Sequence, residues 1–364
     1  MRNACAALVL TTAFAAAAQS SDFPAGTQKF FETNIGEAIP AQGGGIWATA
    51  PAGIVRYTAS GAGAPIVIAG GVPQYLVAAA DGTLWVANAA GIVRITTVGA
   101  VLEQYALTNV HALAVATDGA LWYLRASGIN TIGRIAGGSP TERPSPPDAW
   151  NLAAAPAGAI WILPTGFATG NDNLYQMTPA GALTTIPLGE DVLFGKLQAL
   201  PDGTLYVGTG VNDGVLRIRP DATAVEVLVR NGPGSSGYLA DVAGNLWLGD
   251  YALLAYRGAT GSPFLFYEMP RDPRSCLAIP SYFYRPLAID SDGTLWVAVD
   301  IDFFGITTPP PCNEPLPPPM PDLVRLNPAQ LVPLLVPPAP ALSPVMLAAL
   351  ALALAAIAAA MTRG

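Results

Sequence analysis

Asp81-Gly82-Thr83-Leu84-Trp85-Val86-Ala87 is the stretch that decides the fold. The Asp-Gly pair accepts the positive φ of a tight hairpin turn, so the apolar residues on both sides of it predict two antiparallel strands. A second turn at Ala90-Gly91 and apolar runs at 92–96 and 101–106 continue the same unit. We therefore predict a four-stranded sheet over 75–80, 84–88, 92–96 and 101–106.

The phrase around Trp85 recurs along the chain, each time with a large aromatic residue at its centre. Successive copies are 37 to 49 residues apart, and a period of about 40 residues made of short strands is typical of β-propellers. The sequence thus predicts an all-β fold, a seven-bladed β-propeller of four-stranded antiparallel blades. The seven aromatic positions are Trp47, Trp85, Trp122, Trp161, Tyr206, Trp247 and Trp296.

The second strand of each unit is apolar on both faces, as expected where a blade packs against a neighbour on each side. Trp85 and Ala87 are predicted to face one neighbour, and Leu84 and Val86 the other. The last unit has no clear fourth strand, because the chain becomes proline-rich after Leu326. Residues 28–32 are predicted to fill that place and close the ring, with 331–336, interrupted by Pro333, as the alternative.

The two ends of the chain differ from the repeats. Arg2, an apolar stretch and Ala16-Ala17-Ala18 predict a signal peptide over 1–18, with a short buried helix as the alternative. Repeats fill 28–330, a proline-rich linker follows over 331–344, and 345–361 is apolar and long enough for a minimal transmembrane helix. A peripheral or core-packed helix is the alternative there. The chain is thus predicted to be exported, to the periplasm or cell surface, and held at least transiently at the membrane.

The net charge limits the possible binding partners, and the cysteine content limits the possible disulfides. The net charge is −8, and Lys29 and Lys196 are the two lysines, so the sequence excludes nucleic acid as a partner. With Cys5 inside the signal peptide, Cys276 and Cys312 remain, and an oxidising compartment predicts either a disulfide between them or two separate thiols. Both cysteines lie in loops that an up-and-down blade places at the same end of the molecule.

The repeats resemble two known groups of propellers. Two stretches are similar to repeats of the virginiamycin B lyase-like family and of periplasmic sensor propellers of two-component regulators. They are Gly-Ile-Val-Arg-Ile at 91–95, which follows the Trp85 phrase, and Ile132-Gly133-Arg134-Ile135. The resemblance covers about 28–326 and implies the fold. For the lyases it implies a divalent-metal site of histidine and acidic residues. This chain has one histidine, His111, predicted to be an inner-strand residue with a structural hydrogen bond.

The C-terminal residues resemble another known segment. The segment is similar to the IPTL-CTERM sorting signal of Gram-negative bacteria. The similarity rests on Pro340-Ala341-Leu342-Ser343, the apolar run 345–361 and Arg363. The resemblance departs from the family pattern at Ala341, which stands where threonine is usual. It implies a sorting peptidase as a partner, and a plain membrane anchor explains the same residues.

Candidate site residues gather on the face that carries the cysteine loops. Carboxylates that follow second strands there suit Ca²⁺ or Mg²⁺, with solvated loop residues as the alternative; no other cofactor is expected. Aromatic residues and arginines nearby suit a binding surface. The tentative metal ligands are Asp300 and Asp302. The ligand-binding candidates are Asp250, Arg271, Arg274, Tyr282, Tyr284, Arg285, Phe303 and Phe304.

Two functions follow from these observations. The first is a non-enzymatic propeller at the cell envelope that binds a protein or a small ligand. The second is a metal-dependent propeller lyase or hydrolase that uses carboxylates on the loop face. The poverty of histidine and cysteine favours the first.

Overall fold

A computed structural model describes most of the repeat region. The described residues are 23–31, 35–127, 129–165, 173–189, 192, 196–209, 214–220, 225–229, 237–250, 253–259, 263–270, 282–301 and 321–333. The chain divides after Val332 into two units, and the fold below belongs to the first, 1–332.

The described residues form seven sheets of four strands each. β1 is Gln28–Phe30. Blade one contains β2 Ala38–Pro40, β3 Ile46–Ala50, β4 Gly53–Thr58 and β5 Gly61–Ala62. Blade two contains β6 Tyr75–Ala78, β7 Leu84–Asn88, β8 Gly91–Ile95 and β9 Val101–Tyr105. Blade three contains β10 Val110–Val115, β11 Leu121–Ser127, β12 Ile129–Ala136 and β13 Ser139–Pro144. Blade four contains β14 Ala149–Ala154, β15 Ile160–Pro164, β16 Asn173–Met177 and β17 Leu183–Pro187.

The remaining blades follow the same order. Blade five contains β18 Leu197–Ala199, β19 Leu205–Gly208, β20 Val215–Ile218 and β21 Val225–Val229. Blade six contains β22 Tyr238–Ala240, β23 Leu246–Asp250, β24 Leu253–Arg257 and β25 Leu265–Glu268. Blade seven contains β26 Tyr282–Ile289, β27 Leu295–Ile301 and β28 Leu323–Leu326, with β1 as its outer strand. Two short 3-10 turns, Pro156–Gly158 and Pro328–Gln330, are the helical elements of the described residues.

Neighbouring strands in every blade are antiparallel, so the loops divide between two faces. Loops that enter the inner strand of a blade lie on the same face as those joining its second and third strands; we call this the loop face. The tight turns between first and second strands lie on the other, the turn face. The seven-bladed propeller predicted from the repeats is confirmed.

The aromatic residue of each repeat packs between its own blade and the next. Trp85 and Ala87 share a buried cluster with Leu121 and Tyr123 of blade three. Leu84 and Val86 of the same strand join Trp47 of blade one. The predicted division of the strand between two neighbours is therefore confirmed. The same arrangement places the other five aromatics in the remaining blade interfaces.

An arginine on the third strand reinforces several of these aromatics. Arg94 lies opposite Trp85 across the strand pair, with its guanidinium carbon 5.3 Å from the ring centroid. It also pairs with Asp81 of the Asp-Gly turn at 2.6 Å and with Glu103 of β9 at 2.7 Å. Equivalent contacts join Arg134 to Trp122 and Arg325 to Trp296. The arginine in the Gly-Ile-Val-Arg-Ile phrase therefore has a structural role in its blade, and arginines at the same register position in blades three and seven have the same role.

The ring closes through the N-terminal strand. Gln28 to Phe30 pair with Arg325 to Leu323 in antiparallel register, as predicted for 28–32. Phe30 packs against Tyr57 of blade one and Trp296 of blade seven, with centroid distances of 5.3 and 5.5 Å. Leu331, from the alternative segment, instead belongs to the buried cluster between blades six and seven.

The predicted segments at the chain ends lie outside the described residues. These are the signal peptide 1–18, most of the linker 331–344 and the apolar helix 345–361. Within the described ranges, no helix is long and apolar enough to cross a membrane. Cys276 and Cys312 also lie outside those ranges, so the disulfide stays a prediction.

Candidate ligand site in the central channel

One residue of each inner strand occupies the same level around the propeller axis. It pairs with the second-strand residue two positions after the repeat aromatic, as Tyr75 pairs with Ala87 and Arg285 with Ala298. We call these seven positions the inner ring, and they lie where the inner strands begin, on the loop face. In blade order the inner ring is Glu37, Tyr75, Ala112, Asn151, Lys196, Gly237 and Arg285.

The inner ring is polar where the rest of the blade interface is apolar. Five of its seven positions carry polar or charged side chains. None of those five is fully buried, and Glu37 is exposed. A propeller needs no charge at this level to pack its blades, so those of the five that have no ion-pair partner are candidates for contact with a molecule in the channel.

Glu37 begins the inner strand of blade one and reaches towards blade two. Its Oε2 accepts a hydrogen bond from the backbone N–H of Leu76 at 3.1 Å. Glu37 is exposed as a residue, but protein surrounds its carboxyl on most sides. That partial loss of water raises its pKa, and the Leu76 hydrogen bond and the charges of Lys196 and Arg285 oppose the shift. Burial raises the pKa of Tyr75, and the negative charge of Glu37 raises it further.

Lys196 stands across the channel, at the start of the inner strand of blade five. Its Nζ lies 5.8 Å from the centroid of the Tyr238 ring. Among the described residues no carboxylate lies within ion-pair distance of this amine. Burial, followed by repulsion from Arg285, lowers the pKa of Lys196 to about 8, and attraction to Glu37 acts in the opposite direction.

Arg285 has its charge compensated within blade seven. Its Nε donates to Asp300 Oδ2 at 2.9 Å, and its two terminal nitrogens lie 3.5 Å from the carbonyl oxygens of Ile35 and Gly36. The arginine therefore joins blade seven to the residues just before Glu37. Of the two cations in the inner ring, Lys196 is the one without an ionic partner among the described residues.

A cavity of about 820 Å³ occupies the channel next to the inner ring. It is lined by the inner strands of blades one, five, six and seven, from Lys196 at one end to turn-face residues such as Val242 and Ser291 at the other. Ile39, Leu239 and Leu287 contribute apolar walls. The volume lies within the range of small-molecule sites. Lys196 lies at its loop-face end. Asp241 and Asp290 lie at its turn-face end, where their carboxylates accept hydrogen bonds from their own turns and, for Asp290, from Trp296.

Two bulged residues flank the inner ring in blades three and four. The strand register shifts at His111 and again at Trp150, and both inner strands are preceded by a residue with positive φ, Asn109 and Asp148. The His111 and Trp150 rings stack at 5.8 Å, and Trp150 is 40% exposed. Nε2 of His111 lies 3.3 Å from the Ala149 carbonyl oxygen, and burial lowers its pKa.

The structure places the sequence-predicted site residues in three different situations. Arg285 and Asp300 are brought together at the inner ring. Tyr284 is fully buried, and its hydroxyl donates to the Pro270 carbonyl oxygen at 2.7 Å, so it belongs to the core between blades six and seven. Asp250 ends β23 and Tyr282 begins β26. Outside the described residues lie Arg271, Arg274, Asp302, Phe303 and Phe304.

Metal-ligating side chains are scattered in the described part of the chain. No group of three or more histidine, cysteine, aspartate or glutamate side chains there is arranged to hold a metal ion. Asp300, one of the two predicted ligands, is paired with Arg285. The Ca²⁺ or Mg²⁺ site therefore stays a prediction that depends on Asp302 and the loop around it.

The sequence interpretation missed Glu37 and Lys196, the inner-ring charges of blades one and five. A signal for them exists. In the first six units the inner-ring residue stands ten positions before the repeat aromatic, as Lys196 does before Tyr206. In the seventh it stands eleven positions before, because the strand contains a bulge between Pro286 and Ala288.

Comparison with known proteins supports the fold. No family model matches the sequence, and no curated protein does so either. Solved structures do match. A streptogramin B lyase shares 15% identity at a TM-score of 0.61, covering 84% of this chain and 97% of the lyase. Virginiamycin B lyase from Staphylococcus aureus gives 16% and 0.59, covering 82% and 98%.

A sensor protein has the same fold. The extracellular domain of a hybrid two-component system from B. thetaiotaomicron shares 13% identity at a TM-score of 0.59, covering 85% of this chain and 42% of that one. At these identities the comparisons show the fold alone. The chain is a seven-bladed β-propeller similar to lyase and sensor propellers, as the resemblance of its repeats implies.

Proposed function

We propose that this protein is an exported propeller that binds a small ligand in its central channel, without carrying out chemistry on it. The observation that carries the proposal is the inner ring, where Glu37 and Lys196 stand on different blades without contacting each other. Lys196 lines the channel cavity, and Glu37 directly precedes Ala38, which also lines it. A small molecule reaches this position more readily than the surface of a folded protein does. The extracellular sensor propeller with the same fold supports a binding role outside the cytoplasm.

Native mass spectrometry of the full chain tests this function. The protein is incubated with a defined mixture of amino acids, sugars, nucleosides, amines and carboxylic acids. We expect one bound mass on the wild type, which the double variant Glu37→Gln, Lys196→Met loses. The matched control is Lys29→Met, because Lys29 is the other lysine of the chain and lies on β1 of blade seven.

Two results would contradict the proposal. The first is equal occupancy of the wild type and the double variant, which would place binding outside the inner ring. The second is Mg²⁺-dependent conversion of a ligand such as quinupristin by the full chain, which would favour the lyase function. Quinupristin is the molecule present in the structure of an inactive virginiamycin B lyase variant.

Membrane association is a separate proposal that rests on the sequence. The segment 1–18 directs export, and 345–361 holds the protein at the envelope, with or without processing by a sorting peptidase. Cell fractionation of the chain with and without 345–364 tests this. Equal release of both forms into the soluble fraction would be evidence against an anchor.

A further inference from the structure

Two charged groups of the inner ring form no ion pair with any described residue. Lys196 has no ionic partner among the described residues, while Glu37 uses one carboxylate oxygen on the Leu76 N–H. Lys196 and Glu37 influence each other's pKa, yet they form no ion pair. The inner ring therefore presents a cation and an anion to the channel, on blades five and one.

Arg285 lies on blade seven, between blades five and one in the ring. It carries the same charge as Lys196 and forms no ion pair with Glu37. Its Nε is taken by Asp300, and its terminal nitrogens face the carbonyl oxygens of Ile35 and Gly36. A single negative ligand would satisfy Lys196 and be repelled by Glu37. A ligand with one positive and one negative group satisfies both, because each group then forms a charge-assisted hydrogen bond with one side of the channel.

The lining of the cavity limits the chemistry of the uncharged part of such a ligand. Its walls below the inner ring include Ile39, Leu239 and Leu287, so a polar extension there would lose its hydrogen bonds to water. An apolar extension gains about 25 cal/mol for each Å² of surface that it removes from water. Lys196 is at the loop-face end of the cavity, whereas the carboxylates at the turn-face end, Asp241 and Asp290, already accept hydrogen bonds from the protein. The ligand therefore has a charged head near the inner ring and an apolar side.

We propose that the inner ring binds a zwitterion of the amino-acid type with an apolar side chain. Its carboxylate pairs with Lys196, its ammonium group pairs with Glu37, and its side chain enters the channel cavity. This inference rests on the proposed function, since it names the class of ligand for the same site.

Isothermal titration calorimetry with L-leucine and two matched analogues tests the ligand class. 4-Methylpentanoate lacks the ammonium group, and 3-methylbutylamine lacks the carboxylate. We expect the full chain to bind leucine and each analogue to bind about tenfold more weakly or worse, since a charge-assisted hydrogen bond contributes about 1.5–3 kcal/mol. Lys196→Met and Glu37→Gln should each weaken leucine binding by a similar factor, and Lys29→Met should leave it unchanged.

The outcomes separate this inference from the function on which it rests. If 4-methylpentanoate binds as tightly as leucine and Lys196→Met abolishes both, the channel is the site and the zwitterion is wrong. If none of the three compounds binds while another mass from the mixture occupies the wild type, the ligand class fails and the binding function stands. If no component of the mixture binds the wild type, both fail. If the melting curves of Lys196→Met and Glu37→Gln match that of the wild type, any loss of binding is local.

Discussion

At the scale of single residues, Lys196 is the most informative group of the protein. Its amine lies in a channel, half-buried, with a lowered pKa of about 8. An ordinary lysine, with a pKa of about 10.4, is almost wholly protonated at neutral pH. The folded protein thus holds the Lys196 proton less tightly than the unfolded chain does. Its contribution to the free energy of unfolding therefore increases as pH rises from about 8 to about 10.4, where the unfolded chain also loses the proton.

Acylation of the two lysines tests this electrostatic description. We expect Lys196 to react with a small acylating reagent along a pH profile with its midpoint near pH 8. Glu37→Gln should move the midpoint down, because it removes an attractive charge, and Arg285→Gln should move it up. Peptide mass spectrometry measures both lysines in the same sample, so Lys29 serves as the internal reference. A Lys196 midpoint that neither variant moves would contradict the coupling.

The third-strand arginine of blade two gives a second residue-scale prediction. Arg94→Met keeps the packing over Trp85 but removes the ion pairs with Asp81 and Glu103. We expect a loss of about 1 kcal/mol in the free energy of unfolding, since all three charged side chains are partly exposed. Urea denaturation measures it. Arg219→Met is the matched control, because Arg219 is exposed and its nearest carboxylate, Glu226, is 3.8 Å away; it should change stability by less than about 0.3 kcal/mol.

At the scale of strands, the sequence determines most of the architecture. The turn at Asp81-Gly82 and the apolar run at 84–88 predict β7 with its observed limits, and the repeat period predicts seven blades. Bulges were not predictable, because a one-residue shift at His111, Trp150 or Leu287 leaves no local sequence signal. The inner ring escaped prediction for a related reason. Its members share a position in the strand register, whereas their residue types differ.

Within blade three, a glycine on one strand makes room for an aromatic ring on its neighbour. Gly133 pairs with Tyr123, and a Cβ at Gly133 would overlap the Tyr123 ring. Gly133→Ala should therefore lower the free energy of unfolding by about 2 kcal/mol through overpacking. Tyr123→Leu removes the ring, so the double variant should be less destabilised than the two single changes added together. Additive effects in urea denaturation would show that the overlap is relieved elsewhere.

At the scale of the whole molecule, stability depends on closing the ring in blade seven. Phe30 is buried there against Tyr57 and Trp296, whereas its neighbour Phe31 is 59% exposed. Phe30→Ala should cost about 3–4 kcal/mol and lower the cooperativity of unfolding. Phe31→Ala should change stability by less than about 0.5 kcal/mol. Thermal unfolding measured by circular dichroism compares the two, and similar losses for both would mean that β1 is dispensable.

The pairing of β1 with β28 also has a consequence for how the molecule is made. Residues 28–30 are synthesised before the other strands of the propeller, whereas their partners at 323–325 belong to its last strand. The early segment must therefore remain unpaired while six complete sheets form behind it. Assembly ends when β1 joins β28, so a polypeptide interrupted before residue 323 keeps an open sheet edge and is a natural target for proteases.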